Sequence, residues 1–239
     1  MASERLVLLD GHALAYRAFY ALPLEGFATR EGEPTNAIYG FTATLLNILD
    51  EYDPEYIAVC FDAGLSGRDE VYPDYKIHRE EMPAEMAIQM DRIRQVVEAF
   101  NIPIYEQEGV EADDLLGTLA RQAPQKGVDT LIVTGDRDLL QLVAPHVHVF
   151  LSGRRLSEGK IYDQEAIKKR YGGLSPNQLR DYKALIGDSS DNIPGVYGVG
   201  DKTATRLLGK YGSLDAIYTH LDEIESTRFR NALRRGKDE

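Results

Sequence analysis

A chain of 239 residues with 43% hydrophobic content is long enough to bury a sizeable core, either as one large domain or as two unequal ones. The net charge of −12 ordinarily argues against a nucleic-acid partner, yet residues 151–210 carry 11 Lys and Arg against 7 Asp and Glu. No apolar run reaches the roughly 18 residues of a membrane span, and the N-terminal MASERLVLLDG lacks the pattern of a signal peptide. The single cysteine, Cys60, cannot pair within the chain and is expected to be a buried small residue. We therefore expect a globular protein of the reducing cytoplasm.

Short apolar runs alternate with helical patterns through the first two thirds of the chain. Strands followed by helices in this order predict right-handed βαβ units and a mostly parallel sheet. After about residue 160 the strand signals stop, and Gly-marked turns separate short helical patterns, which indicates a second, helical domain. The predicted strands are Leu6–Leu9, Ile57–Phe61, Ile102–Tyr105, Leu131–Val133 and Val147–Leu151, and the predicted helices of the first part are 36–52, 84–100 and 115–123.

The stretch GVEADDLLG places three carboxylates, Glu111, Asp113 and Asp114, within four positions ahead of an apolar helical stripe. A solvated helix start explains this stretch by itself, because acids in a first turn complement the helix dipole. Taken alone, that interpretation is the favoured one. The positions of the other acids in the sequence favour a functional site over a solvated helix start.

Acids also follow several of the predicted strands. Asp10 ends LVLLD, Asp62 ends IAVCFD, and Asp136 and Asp138 lie in LIVTGDRD. Sites of open parallel sheets form beyond the carboxyl ends of the strands, so these side chains are expected at one edge, together with the VEADD acids. The later stretch IGDSSDN adds two more acids, Asp188 and Asp191.

Nine converging carboxylates require cations, since like charges about 4 Å apart cost on the order of 1 kcal/mol per pair even in water. All of these ligands are oxygen, which favours hard ions such as Mg²⁺ or Mn²⁺ over zinc. Two such ions about 3.5–4 Å apart can activate a water, orient a phosphodiester and neutralise the leaving oxygen. A two-metal site is therefore predicted at this edge.

The stretch PGVYGVGDKTATRLL indicates the hairpin of a helix–hairpin–helix element, which grips a duplex backbone without reading bases. Gly198 and Gly200 let the backbone approach closely, and the helix start that bears Lys202 and Thr203 suits a phosphate. The alternative is an ordinary Gly-capped turn. The nearby IGDSSDN stretch and the Lys-Thr pair favour phosphate binding.

A third stretch, VYPDYKIHR, interleaves aromatic and basic residues in the long connection after the second strand. Tyr75 lies beside Lys76, Arg79 follows, and Arg68 comes just before. Rings beside cations suit unpaired bases and phosphates, although a solvated basic loop explains the stretch equally well. A connection this long requires a function or a structure of its own.

These motifs together resemble the N-terminal 5′-nuclease domain of the bacterial DNA polymerase I family, which is related to phage and cellular flap endonucleases. The resemblance extends from the start of the chain to about Tyr218. It implies an α/β fold: a PIN-like (5′-nuclease) domain with a mostly parallel central sheet flanked by helices, over residues 1–160 with an arch at about 64–100. A small helical H3TH domain with a helix–hairpin–helix element follows at 161–239. The motifs that carry the resemblance are LLDGHALAYRAFYAL, VCFDA, VYPDYKIHR, VEADDLLGTLA, VTGDRDLLQL and ALIGDSSDNIPGVYGVGDKTATRLL.

The resemblance implies a structure-specific 5′-3′ exonuclease and flap endonuclease, a hydrolase of replication and repair that holds two Mg²⁺ or Mn²⁺ ions. It further implies a K⁺ ion at the hairpin, a monomer that is fused to or acts with a DNA polymerase, and DNA substrates with a 5′ flap, nick or 5′ end, including RNA-primed ones. Family positions that hold metal match Asp10, Asp62, Glu111, Asp113, Asp114, Asp136, Asp138, Asp188 and Asp191, of which Asp113 and Asp114 are also catalytic. Catalytic positions that steady the scissile phosphate match Lys76 and Arg79, and DNA-binding positions match Tyr16, Arg17, Arg68, Tyr75, Lys76, Arg79, Gly198, Gly200, Lys202 and Thr203.

One segment departs from the family pattern. Between Asp62 and Arg68 the chain has AGLSG, which is shorter than the usual connection and lacks the aromatic residue that precedes the arginine. This departure affects the expected role of Arg68 and the base of the arch, and leaves the metal acids unchanged.

Three other functions are compatible with parts of the sequence. A non-catalytic DNA-structure-binding module would keep the hairpin, but it has no reason to retain nine acids. An RNA-cleaving PIN-like nuclease would explain the acids without the hairpin. A small-molecule phosphatase explains neither the hairpin nor the Tyr-Lys stretch.

Overall fold

The computed structural model describes residues 4–64, 66–153 and 158–237, which form two compact units. The first unit comprises Met1–Gly67 and Glu81–Asp163, and the second comprises Arg68–Glu80 and Gln164–Glu239. Among the described residues, none of the helices is long and apolar enough to cross a membrane.

A six-stranded sheet forms the centre of the first unit, with the strand order β3-β2-β1-β4-β5-β6. All neighbouring strands are parallel except β6, which pairs with β5 in the antiparallel sense. Asp10 pairs with Cys60, and Leu9 with Val133, so the carboxyl ends of the three central strands lie level with one another. The strands are β1 Arg5–Asp10, β2 Tyr56–Cys60, β3 Ile104–Tyr105, β4 Asp129–Thr134, β5 Val147–Leu151 and β6 Lys160–Tyr162.

Helices cover both faces of this sheet. Alternate strand residues, such as Val7 and Leu9, pack into a continuous core with the apolar sides of α1, α2 and α4. The fifth helix, α5, packs on the other face against β1, β2 and β4. Because both faces are covered, the central strands are nearly continuous apolar runs. The helices of this unit are α1 Gly11–Ala21, α2 Asn36–Tyr52, α4 Ala84–Ala99 and α5 Ala112–Gln122, and α3 Arg68–Val71 belongs to the second unit.

The second unit is helical and has a core of its own. Leu185, Leu208 and Leu233 are fully buried in it and come from three different helices. Besides α3, its helices are α6 Gln164–Arg170, α7 Leu179–Ile186, α8 Asp201–Tyr211, α9 Leu214–Thr219 and α10 Thr227–Arg235.

The observed elements differ from the sequence predictions in a few places. The first unit continues to Asp163, because β6 adds a strand to the sheet, whereas the predicted nuclease domain ends at residue 160. Residues 68–80, predicted as part of the arch of the nuclease domain, belong to the second unit. Leu65, within the short AGLSG connection, lies outside the described residues.

Candidate active site

Asp10 is the last residue of β1 and is buried, with 3% of its surface exposed. Its Oδ1 accepts a hydrogen bond from the Ala13 backbone N–H (3.0 Å), so the side chain also caps α1. Its Oδ2 accepts a hydrogen bond from Thr134 Oγ1 at the end of β4 (2.7 Å). Burial is the largest influence on Asp10 and raises its pKa to about 6, although these two hydrogen bonds oppose the shift.

Asp62 follows β2 by two residues and connects two other elements of the first unit. Its Oδ1 accepts a hydrogen bond from the backbone N–H of Ala112, the first residue of α5 (2.7 Å). Its own backbone N–H donates to His12 Nδ1 (3.1 Å). Asp62 therefore anchors the start of the helix that carries Asp113 and Asp114, while Glu111 is the N-cap residue of that helix.

The turn after β4 holds Asp136 and Asp138 through a short hydrogen-bond chain. The Asp136 backbone N–H donates to Thr134 Oγ1 (2.9 Å), and the Asp138 backbone N–H donates to Asp136 Oδ1 (2.8 Å). Since Thr134 also bonds Asp10, one buried hydroxyl joins the acids that follow β1 and β4.

Asp113 shows how close the carboxylates of the first unit lie. Burial first, and then the negative charges of Asp10, Asp136, Asp62 and Glu111, raise the pKa of Asp113 to about 8. Asp113 therefore keeps its proton below about pH 8, and it ionises more readily where a cation offsets the neighbouring negative charges. The first unit thus gathers seven of the nine predicted acids at the carboxyl edge of its sheet or at the start of α5, which are Asp10, Asp62, Glu111, Asp113, Asp114, Asp136 and Asp138.

The other two predicted metal acids, Asp188 and Asp191, belong to the second unit. Asp188 Oδ2 lies 2.6 Å from Lys183 Nζ, and Asp188 Oδ1 accepts hydrogen bonds from the hydroxyl and the backbone N–H of Ser190. Burial raises the pKa of Asp188, but the hydrogen bonds from Lys183 and Ser190 outweigh burial and hold the pKa at about 2.

The predicted aromatic and basic residues of VYPDYKIHR surround Asp191 within the second unit. Arg79 Nη2 lies 3.3 Å from Asp191 Oδ1, and the Tyr75 hydroxyl lies 3.4 Å from Asp191 Oδ2. The Lys76 backbone N–H donates to the Asp191 carbonyl (3.2 Å), and Lys76 Nζ lies 4.7 Å from the centre of the Tyr75 ring. Arg68 is half-buried at the start of α3.

The hairpin before α8 depends on glycine at Gly195 and Gly198, whereas Gly200 has an ordinary backbone conformation with open space around it. Gly198 adopts φ +88°, in a turn closed by a hydrogen bond from the Val199 N–H to the Val196 carbonyl. A Cβ on Gly195 would lie 2.2 Å from the backbone nitrogen of Gly187, so only glycine fits there. Gly200 is the N-cap residue of α8, Lys202 is exposed in its first turn, and the Thr203 N–H donates to the Gly200 carbonyl.

Tyr16 and Arg17 lie side by side on α1 of the first unit. The Tyr16 ring stacks on Tyr20 with 6.3 Å between ring centres. Arg17 Nε donates to the Gly153 carbonyl (2.7 Å). This hydrogen bond connects α1 to the residue that lies two positions after the end of β5.

Several contributing residues escape the sequence analysis. His12 and Thr134 bond directly to predicted metal acids of the first unit, and Lys183 bonds to Asp188 in the second. His12 and Thr134 each lie within two residues of a predicted acid, which is the only signal that the sequence offers for them.

Two family models cover almost the whole chain. The 5′-3′ exonuclease N-terminal resolvase-like domain matches residues 5–172, and the 5′-3′ exonuclease C-terminal SAM fold matches residues 174–239. The chain belongs to the 5′-3′ exonuclease family. The family, the fold class and the nuclease activity predicted from the sequence are confirmed.

Curated relatives of this exonuclease chain are DNA polymerases. It is 53% identical over 237 residues to DNA polymerase I of Chloroflexus aurantiacus, covering 98% of this chain and 25% of that protein. It is 43% identical over 236 residues to DNA polymerase I of Bacillus caldotenax, covering 98% of this chain and 27% of that protein. The chain therefore spans about a quarter of the length of these relatives.

Solved structures with the same fold include the phage T5 5′-exonuclease, also described as a flap endonuclease. The phage T5 D15 protein co-crystallised with metal ions has a TM-score of 0.76 and 21% identity, covering 96% of this chain and 84% of that chain. A pseudo-enzyme–product complex of the T5 flap endonuclease with DNA and metal ions has a TM-score of 0.77 and 20% identity, over 98% and 85% of the two chains. The catalytic core of Rad2 in complex with DNA substrate has a TM-score of 0.59 and 16% identity, over 98% and 73%. At these identities the likeness shows the shared fold. A further structure of the T5 5′-exonuclease has divalent metal ions, zinc, bound to it.

Proposed function

We propose that this chain is a structure-specific 5′-3′ exonuclease and flap endonuclease that hydrolyses DNA phosphodiester bonds with two Mg²⁺ or Mn²⁺ ions. The observation that carries this proposal is the acidic cluster around Asp113, in which burial and four neighbouring carboxylates raise the pKa to about 8. Below this pKa a proton relieves the repulsion, and once Asp113 ionises the cluster needs a compensating positive charge. Divalent cations supply that charge and favour the all-oxygen donor set.

The seven acids of the first unit fit a pair of hard cations, and we assign Asp188 and Asp191 of the second unit to the same role from the family pattern. When bound, two such ions supply Lewis-acid stabilisation of the reacting phosphate and of the leaving oxygen. Thr134 and the Ala112 N–H hold Asp10 and Asp62 by hydrogen bonds, so their carboxylate orientations are fixed before substrate arrives.

Basic and aromatic residues provide the contacts to the reacting strand in this proposal. Lys76 and Arg79 steady the scissile phosphate by charge, and the Tyr75 ring stacks on a nucleotide. Arg68 adds a further cation at the start of that segment. Tyr16 and Arg17 contact the same strand from α1.

The hairpin binds the backbone of the DNA duplex in this proposal. Backbone N–H groups at the start of α8, with Lys202 and Thr203, bind a phosphate, and the glycines Gly198 and Gly200 allow its close approach. Carbonyl groups of this hairpin hold a K⁺ ion in the proposal. Such contacts recognise backbone shape rather than sequence, which suits an enzyme that acts on junctions.

The substrates in this proposal are DNA duplexes with a 5′ flap, a nick or a 5′ end, including RNA-primed ends. The enzyme works as a monomer in the cytoplasm, joined to or beside a DNA polymerase. The length and name of the curated relatives support the last point.

The deciding experiment is cleavage of a 5′-labelled flap duplex in Mg²⁺, in EDTA, and by the Asp113→Asn/Asp114→Asn variant in Mg²⁺. The expected result is short 5′ products near the junction from the wild type only, while both proteins bind the flap. A matched control, Asp50→Asn/Glu51→Gln, removes two exposed charges near the end of α2 and is expected to keep full activity. A wild type that binds the flap but fails to cut in Mg²⁺ or Mn²⁺ would establish the DNA-structure-binding module in place of the nuclease.

A further inference from the structure

His12, the second residue of α1, packs against the loop that carries Asp62. Its Nδ1 lies 3.1 Å from the backbone nitrogen of Asp62 and 3.5 Å from the Asp62 Oδ2 atom. Its ring meets the Phe61 ring edge-on, with 5.6 Å between ring centres and an 80° angle between planes. The side chain is largely buried, with 18% of its surface exposed.

The hydrogen-bond direction between these two residues is fixed by chemistry. A backbone N–H can only donate, so His12 Nδ1 is the acceptor and carries no proton. The ring proton is therefore on Nε2, and His12 acts as a neutral imidazole that holds the main chain of Asp62 in place.

The Asp62 side chain is held from the opposite side. Its Oδ1 accepts the N–H of Ala112 at the start of α5, 2.7 Å away. Asp62 thus has its main chain bound by α1 and its carboxylate bound by α5, and its Oδ2 is oriented as a consequence. Loss of the His12 contact releases one of these two attachments.

The side chains that surround the His12 imidazole ring are closely packed. Gly11, directly before His12, lies so close to the Phe61 ring that an added Cβ would approach ring atoms to 2.2 Å. Arg94 covers the Phe61 ring at 4.7 Å and pairs with Glu106 at 3.3 Å. Phe61 cannot shift easily, so the position of His12 against it is well defined.

We propose that His12 is a positioning residue of the metal site, which sets the Asp62 carboxylate for cation binding through the Asp62 backbone N–H. This inference rests on the proposed function, because it takes Asp62 as a metal ligand. Residues that orient ligands in this way typically change metal affinity by about 10–100-fold when they are replaced.

The test compares two substitutions at one position. His12→Asn keeps an acceptor that can reach the Asp62 N–H, whereas His12→Leu fills similar space without any acceptor. His146→Ala is the control, because His146 also bonds an aspartate, Asp129 (2.8 Å), but outside the acidic cluster. If His12→Leu fails to fold, His12→Ala replaces it in the same comparison.

Three quantities are measured for each protein: Mn²⁺ affinity without DNA by electron paramagnetic resonance, the half-saturating Mg²⁺ concentration for flap cleavage, and the melting temperature in EDTA. We expect His12→Leu to weaken Mn²⁺ binding and to raise the half-saturating Mg²⁺ concentration by roughly 10-fold or more, with both largely restored in His12→Asn. His146→Ala matches the wild type in both. A purely structural role would lower the melting temperature of His12→Leu in EDTA and leave metal affinity unchanged.

The outcomes separate this inference from the proposed function. If the wild type binds Mn²⁺ and cuts the flap, while His12→Leu has wild-type metal affinity, the positioning role is overturned and the proposed function stands. If the wild type neither binds Mn²⁺ nor cuts, the proposed function fails, and this inference fails with it.

Discussion

The absence of a side chain at Gly11 allows close packing beside the carboxyl edge of the sheet, where the acids of the first unit lie. A Cβ at this position would lie 2.2–2.7 Å from three atoms of the Phe61 ring, and Phe61 directly precedes Asp62. We expect Gly11→Ala to lower the free energy of unfolding by about 1–3 kcal/mol, because the ring or the start of α1 must move. Urea denaturation measures this change.

The control for that substitution is Gly209→Ala in α8, where nothing lies within 4 Å of the added Cβ. Alanine is a better helix former, so this variant is expected to gain up to about 1 kcal/mol. Equal stability of the Gly11→Ala variant and the wild type would show that Phe61 yields without cost.

Asp113 makes the stability of the metal-free protein dependent on pH. Its pKa is about 8 in the folded protein against an ordinary value of 3.8, so between these values the folded state binds more protons than the unfolded state. The free energy of unfolding therefore falls as pH rises through this window, by at most about 1.4 kcal/mol per pH unit from this group. Asp113→Asn is expected to raise stability in EDTA, and more at about pH 8 than at about pH 5.

Thermal unfolding of wild type and Asp113→Asn in EDTA at these two pH values provides the measurement. Asp91→Asn removes the same charge from the exposed side of α4 and is expected to change stability by less than about 0.5 kcal/mol at either pH. A gain for Asp113→Asn that is the same at both pH values would contradict the repulsion that the cluster implies.

The sequence predicts that Asp10, Asp62 and Asp136 lie near one another, because each of them ends or closely follows a strand. The rule that sites lie beyond strand ends then places them together. It does not predict their supporting contacts. Thr134 bonds Asp10 across 124 residues, and His12 bonds Asp62 across 50, so these pairs become neighbours only once the sheet register is known.

At the scale of elements, a buried amide network joins α1, α2 and α4. Gln89 Oε1 accepts the backbone N–H groups of Ala37 (2.7 Å) and Ile38 (3.2 Å), which lie in the first turn of α2. Gln89 Nε2 donates to Asn36 Oδ1, and Asn36 Nδ2 donates to the carbonyl groups at the end of α1. Both amide side chains are fully buried. The network therefore satisfies helix ends that would otherwise be buried without partners.

Replacement of Gln89 is expected to destabilise the first unit strongly. Gln89→Leu leaves two backbone N–H groups and the Asn36 carbonyl oxygen without partners, at about 1–3 kcal/mol for each unsatisfied buried group. Urea denaturation is expected to show a loss of at least about 2 kcal/mol, while the exposed Gln125→Leu changes stability by less than about 0.5 kcal/mol. A small effect of Gln89→Leu would mean that water or a rearranged side chain replaces the amide.

Secondary-structure elements with a long hydrophobic periodicity are predicted well from the sequence, whereas the shortest elements are predicted poorly or missed. The predicted helix 36–52 matches α2, because its apolar residues recur at helical spacing over four turns. The two-residue strand β3 lies within the longer strand predicted at Ile102–Tyr105, whereas the three-residue strand β6 carries too few alternations to be predicted and depends on pairing with β5. The helix α1 begins at Gly11, directly after the last residue of β1, without the loop that usually separates a strand from a helix.

At the scale of the whole molecule, the chain passes between the two units more than once. Residues 68–80 leave the first unit after β2 and join the second, where the Tyr72 hydroxyl donates to the Asn192 carbonyl (2.9 Å). The Asn192 side-chain amide donates in turn to the Asp74 carbonyl (2.9 Å). These contacts span about 120 residues of sequence, so composition and periodicity could not assign the segment to its unit.

Cys60 provides a direct probe of metal binding to the folded first unit. It is fully buried at the end of β2, and burial first, with the charge of Asp10 second, raises the pKa of its thiol to about 12. A thiol-labelling reagent therefore reacts only when the first unit opens. Because a ligand that binds only the folded state stabilises it by mass action, Mg²⁺ at about 100 times its dissociation constant is expected to slow labelling of the wild type by roughly 100-fold.

The same measurement on Asp113→Asn/Asp114→Asn separates cation binding from general salt effects. This variant keeps Cys60 and its burial but lacks two charges of the cluster, so Mg²⁺ is expected to slow its labelling much less. Unfolded protein in guanidinium chloride supplies the fully reactive reference for both proteins. Equal slowing of both proteins by Mg²⁺ would place the bound cations away from Asp113 and Asp114, and would remove the electrostatic reason for crowding carboxylates at this edge of the sheet.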